Sequence, residues 1–215
     1  NLSGNFMYAK NKVIFMDETP QPEGYEYLYL TGHPMGSELY YQCIGINRTE
    51  EDLKNYPQMA GSGLGDYIYK DIDGNNKIDA KDQLRSDLNT IPQIVFGLTG
   101  NFQYKNFDLA ILFQGQARAR YCYIPLQAPL EGNITEQMAT QSWTLDRQDA
   151  EFGRINSTNN RSESTKWLRN AAFLRLKNVE LGYNFSGKAL KTVGIKGLRI
   201  YLGGIFLFGI QIACQ

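Results

Sequence analysis

Six oxygen-bearing positions fall at regular spacing in Asp71-Ile72-Asp73-Gly74-Asn75-Asn76-Lys77-Ile78-Asp79-Ala80-Lys81-Asp82. Asp71, Asp73, Asn75, Asp79 and Asp82 occupy loop positions 1, 3, 5, 9 and 12, and Lys77 at position 7 can offer its backbone carbonyl. That is the spacing of an EF-hand loop, which wraps a hard cation such as Ca2+ in six to eight oxygens. Two departures weaken it. Asn76 stands where glycine makes the sharp turn, although asparagine tolerates left-handed backbone better than most residues. Asp82 replaces the longer bidentate glutamate, which lowers the expected affinity. The competing reading is a solvated acidic turn between strands.

No other set of residues points to chemistry, and no enzyme is expected. The one histidine, His33, sits in Thr31-Gly32-His33-Pro34 and reads as a turn residue. A lone histidine removes most catalytic triads and His-rich metal sites. Cys43, Cys122 and Cys214 lie far apart with no CxxC, giving neither a disulfide framework nor a zinc site. The pairs Asp17-Glu18 and Glu50-Glu51 read as surface charge; a glycosidase dyad would need a separation set in three dimensions. Asn47-Arg48-Thr49, Asn133-Ile134-Thr135 and Asn156-Ser157-Thr158 are sequons of a kind that arises by chance in Asn-rich loops. Trp143, Trp167, Tyr40 and Tyr41 are open to two readings, sugar stacking or packing.

The elements that must carry such a loop are strands. The 215 residues balance 22 Lys+Arg against 22 Asp+Glu, which argues against an electrostatic nucleic-acid binder. Aromatic residues make up 13%, too many for disorder and favourable to β structure. No apolar run reaches the roughly 18 residues of a membrane helix. Segment 93–105 alternates strictly, with Ile94, Phe96, Leu98, Phe102 and Tyr104 on one face and Gln93, Thr99, Asn101, Gln103 and Lys105 on the other. After a Lys105-Asn106 turn, Phe107, Leu109, Ile111 and Phe113 alternate with Asp108, Ala110, Leu112, Gln114 and Gln116. This is a long antiparallel hairpin. The first segment, from Leu2 to about Met16, also alternates, as do Asn178–Phe185 and a last strand Leu198–Leu202. Leu174 and Leu176 have the wrong parity for their strand, so a bulge is expected near Lys177–Asn178. A short helix is expected from Asn133, as N-cap, to Trp143, and another helical turn over Ser186–Val193 closed by Gly194. There is no internal repeat.

Such strands admit two solutions. A soluble sandwich buries the apolar face; an outer-membrane barrel turns it to lipid and keeps the polar face inside. Strand length favours the barrel, since soluble strands average about 5–6 residues. The Gln, Asn, Thr and Gly of the second face also suit a polar lumen better than a solvated surface. Long stretches at about 17–92 and 118–170 alternate with short connections, the pattern of extracellular loops and periplasmic turns. The expected fold is therefore all-β: about five strands of a larger antiparallel transmembrane barrel. The alternative is a secreted calcium-binding β-sandwich for carbohydrate adhesion.

Several motifs in order support the barrel by resemblance. Gly65-Asp66-Tyr67-Ile68-Tyr69-Lys70-Asp71-Ile72-Asp73-Gly74-Asn75 resembles a stretch of SusC/RagA-type TonB-dependent outer-membrane transporters of the Bacteroidetes. So do Ile91–Gly97, Tyr104–Leu109 and Phe113-Gln114-Gly115, then Leu174–Tyr183 and Gly194–Tyr201, with Asn11-Lys12-Val13 and Asp17-Glu18 at the start. The resemblance implies a piece near the C-terminal end of a large plugged barrel, of the roughly 22-stranded kind. It further implies import of oligosaccharides or peptides across the outer membrane, with a SusD-like lipoprotein as lid and the TonB complex as driver, and with lipid around the strands. Calcium in Asp71–Asp82 would then staple an extracellular loop. Neither the plug domain nor the TonB box of that family is found in the chain, and the stretch after Leu202 departs from the family's Gly-x-Asn-Leu-Phe-type run, as a truncation or frameshift would. Five strands cannot close a barrel, so this stretch alone is expected to leave two unpaired edges and to aggregate.

Overall fold

The computed structural model describes residues 1–123, 134–185 and 197–211. Eleven strands appear: β1 (Leu2–Tyr8), β2 (Glu38–Tyr41), β3 (Cys43–Ile46), β4 (Tyr67–Tyr69), β5 (Gln83–Ser86), β6 (Ile94–Tyr104), β7 (Phe107–Ala117), β8 (Arg120–Cys122), β9 (Leu168–Asn170), β10 (Phe173–Phe185) and β11 (Leu198–Gln211). Two short helices, α1 (Glu50–Asn55) and α2 (Glu136–Gln141), and three 3-10 turns complete the described elements. The chain divides into two compact units, one of residues 1–10, 90–120 and 170–215, the other of residues 11–89 and 121–169.

The first unit is one antiparallel sheet in the order β1-β6-β7-β10-β11, five strands as the alternation predicts. The register aligns the apolar positions across it. Phe6 faces Phe96, Leu98 faces Phe113, Phe102 faces Leu109, and Tyr104 faces Phe107. Leu181 pairs with both Leu109 and Leu202. The expected bulge is present, with a register shift between Leu176 and Asn178 on both sides of β10. The extra residue restores Leu176 opposite Phe113 and Leu174 opposite Gly115, so the parity break in the sequence leaves no break in the apolar face. The other face is polar and cross-linked. Arg199 bonds Asp108 and, at 2.6 Å, Glu180; Asn184 donates to Asp108 at 2.7 Å, and Lys177 to Gln114 at 2.9 Å.

Within this unit the substantial packing is between neighbouring strands of the one sheet. No large apolar side chain described there is buried, and Leu98, Phe102, Phe107 and Leu181 are exposed. A sandwich would require a second layer against them. The described residues of the unit supply none, and the sheet does not close on itself. It is an open, all-antiparallel layer.

Three sequence expectations are corrected. β1 ends at Tyr8, not Met16, because Ala9 makes the last rung to Gln93 and Val13 instead exchanges backbone bonds with Gly32 and His33. The final strand runs on from Leu202 to Gln211, since Gly203 and Gly204 keep register with Glu180 and Val179. The helix expected over 133–143 is shorter, Glu136–Gln141, and its cap is Thr135, whose hydroxyl accepts from the Met138 N–H at 3.3 Å. Asn133, the turn over Ser186–Val193 with Gly194, and Cys214 lie outside the described residues.

The second unit has its own core of Tyr67, Tyr69, Ile78, Met138, Phe152 and Trp167. Two-stranded ribbons β2-β5 and β3-β4 frame it. Asn160 is its polar hub: it accepts from the Tyr67 N–H at 2.7 Å and donates to the carbonyls of Gly65 and Arg154, while its own carbonyl accepts from Trp167 Nε1. Buried polar groups are tolerated when satisfied in this way.

Candidate cation-binding loop and buried ion pair

β4 is buried along its whole length. It delivers the chain from Asp66 through the core to Lys70 and Asp71, where the loop begins. Ile78 anchors the far side of the loop: it is buried in the core and bridges in parallel to Met59. Between these anchors the side-chain oxygens fold inward. Asp71 accepts from the N–H groups of Gly74 at 2.6 Å and Asn76 at 2.8 Å. Asp73 accepts from Asn75 N–H at 3.0 Å, and Asn75 in turn accepts from Lys77 N–H at 2.8 Å. Asn76 takes the left-handed conformation expected of it, at φ 63°.

The loop closes on Asp82, whose residue is fully buried. Its two oxygens accept from Ile72 N–H at 2.7 Å and Asp79 N–H at 2.8 Å. Asp79 caps a short 3-10 turn by accepting from Lys81 N–H. Asp71, Asp73 and Asp82 thus bring carboxylate oxygens within 4.8 Å of one another. Calcium–oxygen distances of about 2.3–2.6 Å place two ligands of one ion no more than about 5 Å apart. The three carboxylates fit that limit, whereas the carboxylate of Asp79 is not part of the convergent group.

Sequence reasoning missed the loop's outer partner. Tyr25 donates its hydroxyl to Asp73 at 2.9 Å, and the Lys81 ammonium lies 4.5 Å from the Tyr25 ring centroid. Burial acts to raise the Asp73 carboxyl, but hydrogen bonds from Tyr25 and Asn75 outweigh it and hold the group below the usual carboxylate range. The same bond raises the Tyr25 phenol. Only the density of tyrosines at positions 25, 27 and 29 could have signalled this contact, and it names no partner.

A second constellation lies at the start of β4. Asp66, fully buried, makes a two-pronged ion pair with Arg154 at 2.7 and 2.8 Å and also accepts from Gly63 N–H at 2.9 Å. Its neighbour Gly65 has φ +82° and lies under Trp143, so that a Cβ there would sit 2.4 Å from the indole. The pair Gly65-Asp66 is therefore fixed by geometry: no side chain fits at one, and a paired charge fills the other.

The remaining sequence candidates resolve into structural roles. Trp143, Trp167 and Tyr40 are buried and Tyr41 packs 5.2 Å from Tyr69, which is packing and not a sugar platform. Asn47 is fully buried and exchanges amide hydrogen bonds with Gln58, so its sequon presents no acceptor. Glu50 and Glu51 lie in the first turn of α1, capped by a reciprocal Thr49–Asp52 box. That Thr-x-x-Asp signal was available in the sequence. His33 pairs with Asp87 at 2.6 Å in its turn.

The strands and loop define a class: a segment of large antiparallel sheet, apolar on one side, bearing a compact excursion with an EF-hand-like loop. No family model matches the chain. It is similar to TonB-dependent receptor P3 of Formosa agariphila, 24% identical over 213 residues that cover 93% of this chain and 21% of that protein. TonB-dependent receptors P26 and P39 of the same organism are 25% and 22% identical over 75% and 96% of the chain. The chain spans about a fifth of the length of these relatives, between 17% and 24%. Among solved structures it resembles the RagAB peptide transporter at TM-score 0.70 with 19% identity, covering 97% of this chain and 23% of that one. The open-open state of the RagAB peptide importer gives TM-score 0.67 at 17% identity. Both comparisons return the resemblance read from the motifs, to TonB-dependent receptors of the SusC/RagA kind.

Proposed function

We propose that this chain is part of the barrel, with two outer excursions, of a TonB-dependent outer-membrane importer of oligosaccharides or peptides that works beneath a SusD-like lipoprotein. One observation carries the reading: β1 and four longer strands, of 11 to 14 residues, share an apolar face that no second layer among the described residues covers. β6 and β7 are 11 residues each. At about 3.3 Å per residue and a tilt near 45°, such a strand rises about 26 Å, the height of a barrel's apolar band. Aromatic residues gather where an interfacial girdle would lie. Phe107 and Tyr183 meet edge to face at 4.7 Å, as do Tyr183 and Phe185 at 4.6 Å, all at the end of the two-residue turn. An adhesion sandwich would bury this face instead.

The experiment is fractionation with uptake. The protein should co-purify with outer membrane and require detergent, and its deletion should abolish growth on one class of peptide or glycan. Release into the aqueous fraction would sink the reading.

We further propose that Asp71, Asp73 and Asp82 hold Ca2+ as a staple for the first excursion, with Asn75, the Lys77 carbonyl and Asp79 as the further oxygens that the loop spacing offers. A divalent ion would offset the repulsion of three converging carboxylates. Limited proteolysis between residues 70 and 85 should accelerate in EGTA and slow again on adding calcium; an unchanged rate would refute the staple.

A further inference from the structure

Beside β3 lies a cavity of about 550 Å3 whose lining includes Cys43–Ile46 together with Arg48, Glu151 and Lys166. Tyr67 and Ile68 of β4 and Asp52 and Tyr56, in and just after α1, complete its lining. Arg48 reaches across to the carbonyls of Gln148 and Ala150, and Lys166 donates to the carbonyl of Glu151 at 2.9 Å.

The edge of β3 that faces away from β4 is only half used. Asn47 exchanges its backbone bonds with Asp66 and Gly65, so it points towards β4. Tyr67 opposes Ile46 but gives its N–H to Asn160. By strand alternation the N–H and C=O of Ile46 point to the outer edge. Just upstream, that same edge is already occupied. Tyr41 donates to Glu163 and accepts from Thr165, a parallel bridge, and Cys43 N–H bonds the Thr165 hydroxyl. After Lys166 the chain turns inward to bury Trp167. The added strand stops there, and the cavity begins where it stops.

We propose that this cavity takes a short extended peptide, which continues the strand begun by Glu163–Thr165 along the outer edge of β3. Strand addition uses main-chain bonds for affinity and side-chain pockets for selectivity. A glycan lacks the alternating N–H and C=O groups that this edge requires. Ile44, 54% exposed, is placed to touch the peptide's side chains. The proposal rests on the importer reading only for how peptide reaches the site, and it selects peptide over glycan.

The test uses the protein extracted from its own membrane in detergent. The probes are a pool of fluorescein-labelled heptapeptides of random sequence and labelled maltoheptaose. A photo-crosslinking amino acid at Ile44 should label with the peptides and be competed by unlabelled peptides, while the same group at exposed Leu145 should not. Ile46→Pro, which removes the outward N–H, should raise the peptide Kd about tenfold, the loss of one or two hydrogen bonds, and Ile46→Val should not. Equal labelling at Leu145, competition by maltoheptaose, or crosslinking only to an accompanying protein would overturn the proposal. Crosslinking does not depend on Ile46→Pro folding. Peptide binding at this edge in a protein that imports nothing would support the proposal and count against the importer reading, so the two failures separate.

Discussion

Asp66 and Arg154 are unequal partners, and their substitution should show it. The Asp66 side chain has no solvent contact, whereas Arg154 keeps 39% of its side-chain surface exposed. Arg154→Ala would strand a buried carboxylate and should cost about 3–5 kcal/mol. Asp66→Asn leaves a guanidinium that can rehydrate and should cost distinctly less; thermal unfolding of the two variants compares them. Asp73 gives a second residue-level prediction. Its folded-state pKa lies below the ordinary value of 3.8, so its contribution is fully present above about pH 4 and is lost as pH falls through the folded value. The helix cap Asp52, held low chiefly by the Thr49 N–H, acts in the same direction. The melting temperature should be flat from pH 7 to about 4 and fall below it, and Asp73→Asn should reduce the acid slope.

At the scale of elements, the hairpin was legible to within one residue, because strict alternation and a two-residue turn leave no other register. Lys105 takes φ 51°, a left-handed position in that turn. The bulge was legible for the same reason: only an inserted residue reconciles Leu174 and Leu176 with Val179. The short strands β2 to β5, β8 and β9 were not, since three or four residues carry no period and are held by a core assembled from distant segments. The Asp71–Asp82 spacing was visible in the sequence, but the Tyr25 contact joins residues 48 apart and has no local signal. The two faces of the sheet make a sharp contrast. Ile111→Arg, on the apolar face near mid-strand, should destabilise by about 2–4 kcal/mol if that face meets lipid. Thr99→Arg, on the polar face of the neighbouring strand, should be tolerated. Heat-modifiable gel mobility of membrane-extracted protein reads both; equal effects would contradict the assigned facing.

For the whole molecule, the topology interleaves two folding units along one chain. The sheet is built from three separated stretches, and the second unit from two stretches on either side of β6 and β7. Asp66 is synthesised 88 residues before Arg154, and Gly65 long before the indole of Trp143 that covers it. The earlier half of the core must therefore wait, with a carboxylate uncompensated and Tyr67 and Tyr69 unshielded, until residues up to Trp167 have been made. Contacts of such sequence separation slow folding. The interval between the emergence of Asp66 and that of Trp167 is thus a period of vulnerability, during which the first excursion should be open to chaperones and proteases that cannot attack it afterwards.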